Sequence, residues 1–139
     1  MYASAELFVV PSDQVDAAWP VLAPIVSRVT DMPWSLDDIR IELLEKRAQA
    51  WGVRHDGNVV AVVMTRIENT PTHRYGVVWL AAGTALQDGL QMFREHIEPW
   101  MFGEQGCEWV ELMGRRGWVK TLPDYETQAV VMRKFRQVH

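Results

Sequence analysis

Between Ala50 and Ala81 the apolar residues change from a helical spacing to a strand spacing, and this stretch constrains the fold more than any other. Ala50 to Arg54 reads as a strand, His55-Asp56-Gly57-Asn58 as a tight turn, and Val59 to Ile67 as a longer strand. Asp-Gly between β-branched runs is a strong hairpin signal, because glycine takes the positive φ that such a turn requires. A loop from Glu68 to Arg74, containing Pro71, leads into a third strand from Tyr75 to Ala81. Three successive strands joined this closely pair antiparallel.

The flanking segments are helical. Leu7 to Val10 is a short apolar strand stopped by Pro11. Ser12 then offers an N-cap, and Val15, Ala18, Trp19, Leu22, Ile25, Val26 and Val29 form one apolar face. Pro20 and Pro24 lie inside that pattern, which predicts a kink or a break. Ser35, with Asp38 three residues on, opens a second helix with an acidic variant of the capping box. After Gly83, Thr84 and Gln87 form another capping pair, and Leu86, Leu90, Phe93, Ile97 and Trp100 make a stripe that ends near Gly103 or Gly106. Cys107 to Met113 suits a central strand, Arg115 to Leu122 a short helix stopped by Pro123, and Glu126 to Phe135 a last strand. The expectation is one α/β domain over 1–139, of α+β type, whose mixed, mostly antiparallel sheet carries helices on both faces.

Composition narrows the function classes. The 139 residues carry a net charge of −4, distributed unevenly. Residues 1–112 hold 8 Lys/Arg against 16 Asp/Glu, a balance of −8, whereas residues 113–139 hold 6 against 2, a balance of +4. The acidic bulk argues against sequence-specific nucleic-acid binding, while the basic end suits an anionic group or an acidic partner. Cys107 is alone, so no internal disulfide forms, and its apolar neighbours read as core. No apolar run reaches the ~18 residues of a membrane span, and residues 1–10 lack the basic start of a signal peptide. These features predict a soluble protein that stays in the cytoplasm, and no metal is expected. The seven tryptophans are spread along the chain, which reads mainly as core filling, with one or two free to anchor a partner.

The element order, together with Gly106-Cys107, Glu111, Gly114-Arg115-Arg116-Gly117-Trp118 and Leu122-Pro123-Asp124-Tyr125, resembles short GNAT-like proteins encoded by phages and prophages. Trp51 to Gly57 followed by Ala61 to Thr65 is similar to the central hairpin of those proteins. The resemblance implies the N-acetyltransferase fold and an acetyl-CoA site where the strand before the long helix parts from the strand after it. Gly83, Thr84 and Ala85 fall at the pyrophosphate loop, which in this family has repeated glycines and a basic residue. Here that stretch has one glycine and serves equally well as a turn and helix cap. Arg115 and Arg116 are candidate phosphate contacts, since guanidinium forks match phosphate oxygens; pairing with Asp124, Glu126 or a neighbouring subunit is the alternative. The family's proton-donating tyrosine has no counterpart on the short helix, and Tyr125 reads as the start of the last strand. Glu68 and His73 are the candidate general bases.

Two functions follow. In the favoured one, the acetyl-CoA site is degraded and the protein is a structural or accessory virion component, in the head–tail or ejection apparatus. Its partners would be phage structural proteins or copies of itself in an oligomer or ring. In the other, it is an active N-acetyltransferase acting on a small amine or a protein amino group. The loops Asp31–Trp34 and Glu68–Arg74 would then shape the acceptor site.

Overall fold

The structure, a computed structural model, describes residues 5–29, 33–84, 86–112 (backbone only at 86–88) and 122–137. Five strands, β1 (Ala5–Val10), β2 (Gln49–His55), β3 (Asn58–Asn69), β4 (Arg74–Gly83) and β5 (Val110–Leu112), lie in that order in one sheet. β1 to β4 pair antiparallel, and β4 pairs parallel with β5. A parallel pair needs a crossover, and the helical segment between Leu86 and Glu104 provides it. The β2–β3 hairpin turns at Asp56 (φ +52) and Gly57 (φ +78), the two positive φ values of a type I′ turn.

Each face of the sheet has its own core. Helices α1 (Val15–Val26) and α2 (Leu36–Leu44) cover one face, where Val15, Leu22, Val26, Ile39 and Leu43 pack on Val62, Met64, Leu80 and Ala82. The other face packs Val63, Val78 and Val110 against Phe93, Ile97, Met101 and Cys107. Thr65 is fully buried there; its hydroxyl accepts from Trp51 Nε1 at 2.9 Å and donates to Gln49 at 2.8 Å, so no polar group is stranded.

Several expectations are corrected. Helix α1 runs unbroken through Pro20 and Pro24, both exposed, so the carbonyls they leave unpaired face water. Ser12 makes no cap bond; Pro11 is followed by a 3₁₀ turn, Ser12–Gln14, and α1 begins at Val15. Ser35 does cap α2, accepting from Asp38 N at 3.1 Å. The third helix, α3 (Leu86–Met92), continues as two π-helical turns, Phe93–Ile97 and Trp100–Glu104, on either side of Pro99. Pro99 has no N–H to offer the preceding turn, and around it the ladder slips to i→i+5, as in Gln105 N to Trp100 O at 3.0 Å.

The largest corrections concern the sheet's far side. The strand expected over Cys107 to Met113 is only Val110–Leu112 and forms the edge of the described sheet. The strand expected over 126–135 is not formed: residues 126–137 are irregular and exposed. Val130, Val131 and Met132 favour strand, but a strand exists only against a partner, and none of the described strands pairs with this segment. Tyr125 accordingly starts no strand. The short helix expected from Arg115 falls almost wholly outside the described residues, as do Ala85, Arg115 and Arg116. None of the six described tryptophans is fully buried. Trp19 and Trp79 border one core, Trp51 and Trp100 border the other, and Trp34 and Trp109 are exposed.

Candidate active site

The site is organised by one extra residue in β4. Met64 faces Leu80 and Thr65 faces Val78, so Trp79 has no partner in β3 and bulges. The bulge breaks the alternation of the strand: Trp79 and Leu80 both turn toward the α1/α2 face, while Val78 and Ala81 turn to the other. Beside the bulge lies the described part of β5. It pairs with β4 from Gly76–Val110 to Val78–Leu112, and beyond Val78 β4 has no partner on that side among the described residues. A small apolar cavity of about 20 Å³ lies next to this pairing, lined by Val63, Val78, Ala81, Leu90, Phe93 and Leu112. It opens at the carboxyl ends of two parallel strands, where the sheet changes direction, which is where open α/β sheets place ligands.

Gly83 and Thr84 close the end of β4. Gly83 has φ +117, and a Cβ there would lie 2.3 Å from the Val60 carbonyl oxygen, so only glycine fits. Thr84 N donates to that same carbonyl at 2.8 Å. These two residues tie β4 to the irregularity in β3 opposite Val53 and Arg54, and the Thr84 N–H is already engaged before any phosphate arrives.

On the α1/α2 face, Trp79 meets Trp34 edge-on, with ring centroids 5.1 Å apart. The Arg66 guanidinium lies 5.2 Å from the Trp79 ring centroid. Its Nε donates to Glu68 at 2.9 Å, and its Nη1 is 3.3 Å from Glu42. Glu42 is buried and accepts from Arg47 Nε at 3.0 Å on each oxygen. That bond, with the charges of Arg47 and Arg66, holds its carboxyl below the usual range. The result is a polar cluster with two aromatic walls beside the bulge.

The two candidate bases are not brought together. Glu68 belongs to this cluster, half-buried, but it pairs with Tyr75 near the amino end of β4, roughly 10 Å along the strand from the bulge. His73 precedes β4, six residues from Trp79 and so about 20 Å away along an extended chain. Its Nδ1 lies 3.0 Å from Glu108, and its ring packs on Trp109. Tyr125 donates its hydroxyl proton to Glu98, and burial, with that bond, pushes its pKa up. Burial also raises the Cys107 thiol, in keeping with a core residue. Among the described residues no three metal-ligating side chains are gathered. Sequence reading missed the Arg66–Glu42–Arg47 cluster and the pairing of Trp34 with Trp79. The one available signal was a charged Arg66 following the apolar run Val59–Met64.

No protein-family model and no curated protein sequence matches this chain. Solved structures do match over nearly its whole length. A GCN5-related N-acetyltransferase from Ralstonia eutropha JMP134 is similar at TM-score 0.63 and 14% identity, covering 96% of this chain and 99% of that one. An aminoglycoside acetyltransferase from an uncultured soil metagenomic sample, in complex with trehalose, gives 0.69 and 10%, covering 96% and 97%. A predicted acetyltransferase from Clostridium acetobutylicum, solved with acetyl-CoA, gives 0.60 and 8%, covering 97% and 96%. The protein has the GNAT-type N-acetyltransferase fold. At these identities the likeness is one of fold, and function has to be argued from the site.

Proposed function

We propose that the protein is an acetyl-CoA-dependent N-acetyltransferase with a reduced grip on the cofactor's phosphates. The observation that carries this reading is the Trp79 bulge of β4, with an apolar cavity beside it at the carboxyl end of the described β4–β5 pairing. Beyond Val78 the edge of β4, unpaired on that side among the described residues, would offer backbone N–H and C=O groups to an amide-bearing arm such as pantetheine, which would dock as an added strand does. The cavity, with room for about one methyl-sized group, would take the acetyl methyl alone. The acceptor would enter from the α1/α2 face, between Trp34, Trp79 and the Arg66–Glu68 pair. Its amine nitrogen attacks the thioester carbon, the C–S bond breaks, and the sulfur leaves as thiolate. Glu68 pairs with Tyr75 toward the same end of β4 as His73, but its tie to Arg66 beside Trp79 makes it the carboxylate to take the amine proton through water, whereas His73 is engaged by Glu108. Positioning supplies much of the rate in such a direct transfer, so a sparse set of catalytic groups is compatible with turnover.

Arg115 and Arg116 remain the proposed phosphate contacts, and the engaged Thr84 N–H supports a weakened pyrophosphate loop. Titration calorimetry with acetyl-CoA tests the reading. Micromolar binding supports it, and Glu68→Gln should then lower turnover on an amine panel by ~10²-fold with binding retained. No heat at millimolar acetyl-CoA would overturn it. The engaged Thr84 N–H also favours a second reading, in which the cleft no longer binds cofactor and the fold is a scaffold. Under that reading the protein is an accessory virion component; the phage origin rests on the sequence resemblance. The absence of heat, together with co-sedimentation with particles, is its expected signature.

A further inference from the structure

Helices α1 and α2 cover only part of their face of the sheet, packing on Val62, Met64, Leu80 and Ala82. Past them, toward the amino end of β4, the register sets Arg66, Val77 and Glu111 in one row across β3, β4 and β5, with Glu68 beside Tyr75 in the next row. These side chains share the helix-bearing face, because Ile67, Val78, Val110 and Leu112, which alternate with them, pack into the other core. Trp34 and Trp79 wall one end of this strip, with ring centroids 5.1 Å apart, and Tyr75 and Trp109, stacked at 4.9 Å, wall the other. Trp34 and Trp109 are 38 and 37% exposed. From Trp79 back to Tyr75 the strip runs about 13 Å along the strand.

Between the two aromatic walls lie carboxylates over an apolar floor. One oxygen of Glu68 accepts from Arg66 Nε at 2.9 Å, and one oxygen of Glu111 accepts from Trp109 Nε1 at 2.9 Å. The second oxygen of each makes no hydrogen bond among the described residues. Arg66 is answered on two sides, by Glu68 and by the buried Glu42, which also holds Arg47. Two guanidinium groups therefore stand against Glu42, Glu68 and Glu111, on a body whose first 112 residues carry −8. Half-buried Val77 lies between Glu68 and Glu111, whose Cα atoms the register sets two strands and two residues apart, roughly 12 Å. Separated carboxylates, an apolar floor and aromatic walls match a ligand in which ammonium groups alternate with methylene spacers: the charges meet Glu68 and Glu111, and the spacers lie on Val77 and the rings. An anionic acceptor would meet like charge here, and a monoamine would engage one end alone.

We propose that the acceptor is a linear aliphatic polyamine, its reacting amine at the Trp34–Trp79 end and a second ammonium group held by Glu111 beside Trp109. This assignment rests on the acetyl-transfer reading above. Steady-state turnover by the whole protein at saturating acetyl-CoA should give a kcat/KM for spermine roughly tenfold or more above that for n-butylamine. Glu111→Gln keeps an acceptor for Trp109 Nε1 and should raise the spermine KM about threefold, with kcat and the n-butylamine rates unchanged. Glu111→Lys should raise it about tenfold, since it places repulsion where attraction stood. Glu104→Gln, exposed on the crossover segment, removes the same charge away from the strip and should leave the spermine KM as it was. A kcat/KM for spermine no higher than for n-butylamine overturns the polyamine assignment and leaves acetyl transfer standing. So does an equal effect at Glu104 and Glu111, which would mark general charge attraction. No heat with acetyl-CoA overturns the acetyl-transfer reading itself, and the acceptor assignment with it.

Discussion

At its amino end β4 is fastened to the segment leading into β5 by a dense set of bonds, whereas at its carboxyl end, beyond Val78, it has no partner on that side among the described residues. The fastening is both backbone and side chain. Gly76 N donates to Trp109 O at 3.0 Å and Glu108 N to Arg74 O at 2.8 Å. Arg74 reaches Gln105 O through Nε at 2.6 Å and the Gln105 side chain through Nη2 at 2.8 Å. Tyr75 stacks on Trp109 with centroids 4.9 Å apart and planes 11° from parallel. The difference teaches where the fold concentrates its bonds: in the clamp, with the bulge and the cavity at the opposite end of β4.

The sharpest way to break the open end is from beneath. Phe93 is buried at the cavity floor on the first π-helical turn, and Phe93→Ala should cost about 3–5 kcal/mol, read from urea unfolding. A loss below about 1 kcal/mol would mean that the crossover helix does not pack on the sheet as described. Next comes the strand's last residue. Gly83→Ala forces a Cβ to 2.3 Å from the Val60 oxygen and 2.7 Å from Ala61 Cα at a positive φ, at roughly 2–5 kcal/mol. Gly57→Ala is its control, with φ also positive but nothing within 4 Å, so only the backbone penalty of about 1 kcal/mol should remain. Equal losses at the two glycines would show that the Val60 approach is not the constraint at Gly83.

Sequence reading reached the frame of this comparison but not its hinge. The period change at Ala50 and the Asp56-Gly57 turn announced three antiparallel strands, because local spacing and turn chemistry are properties of adjacent residues. The Trp79 bulge was invisible, since a bulge is defined by what lies across the ladder, and Tyr75 to Ala81 reads as an ordinary strand alone. Gly83 was singled out as a turn, while its actual constraint, a carbonyl 23 residues earlier in the chain, belongs to tertiary structure. His73 and Glu68 looked equivalent as flanks of one loop. The register keeps both near the amino end of β4, and their partners separate them, Arg66 for Glu68 and Glu108 for His73. The strand expected over 126–135 failed for a related reason: Val130 to Met132 express a preference that needs a partner to become a strand.

The smallest expected effect probes the clamp through pH. Glu108 accepts from Arg74 N at 3.1 Å and meets His73 Nδ1 at 3.0 Å; the backbone bond first, and His73 second, hold its carboxyl below the usual range. A carboxyl depressed in the folded state binds its proton more readily when unfolded, so folding favours the ionised form. Its contribution is therefore fully present above the unfolded value of about 4.3 and is lost as pH falls through the lower folded value. Glu108→Gln should lower the urea midpoint at neutral pH by less than either glycine change, because the pair is solvated on an exposed surface. That deficit should shrink as the pH drops below 4.3, since protonation removes the same charge from wild type. His73→Ala should reproduce only part of the deficit, because the bond from Arg74 N survives it. A deficit that stays constant down to pH 3 would mean that Glu108 supports the clamp through shape alone. Turnover, if the open end is the active site, should follow neither variant.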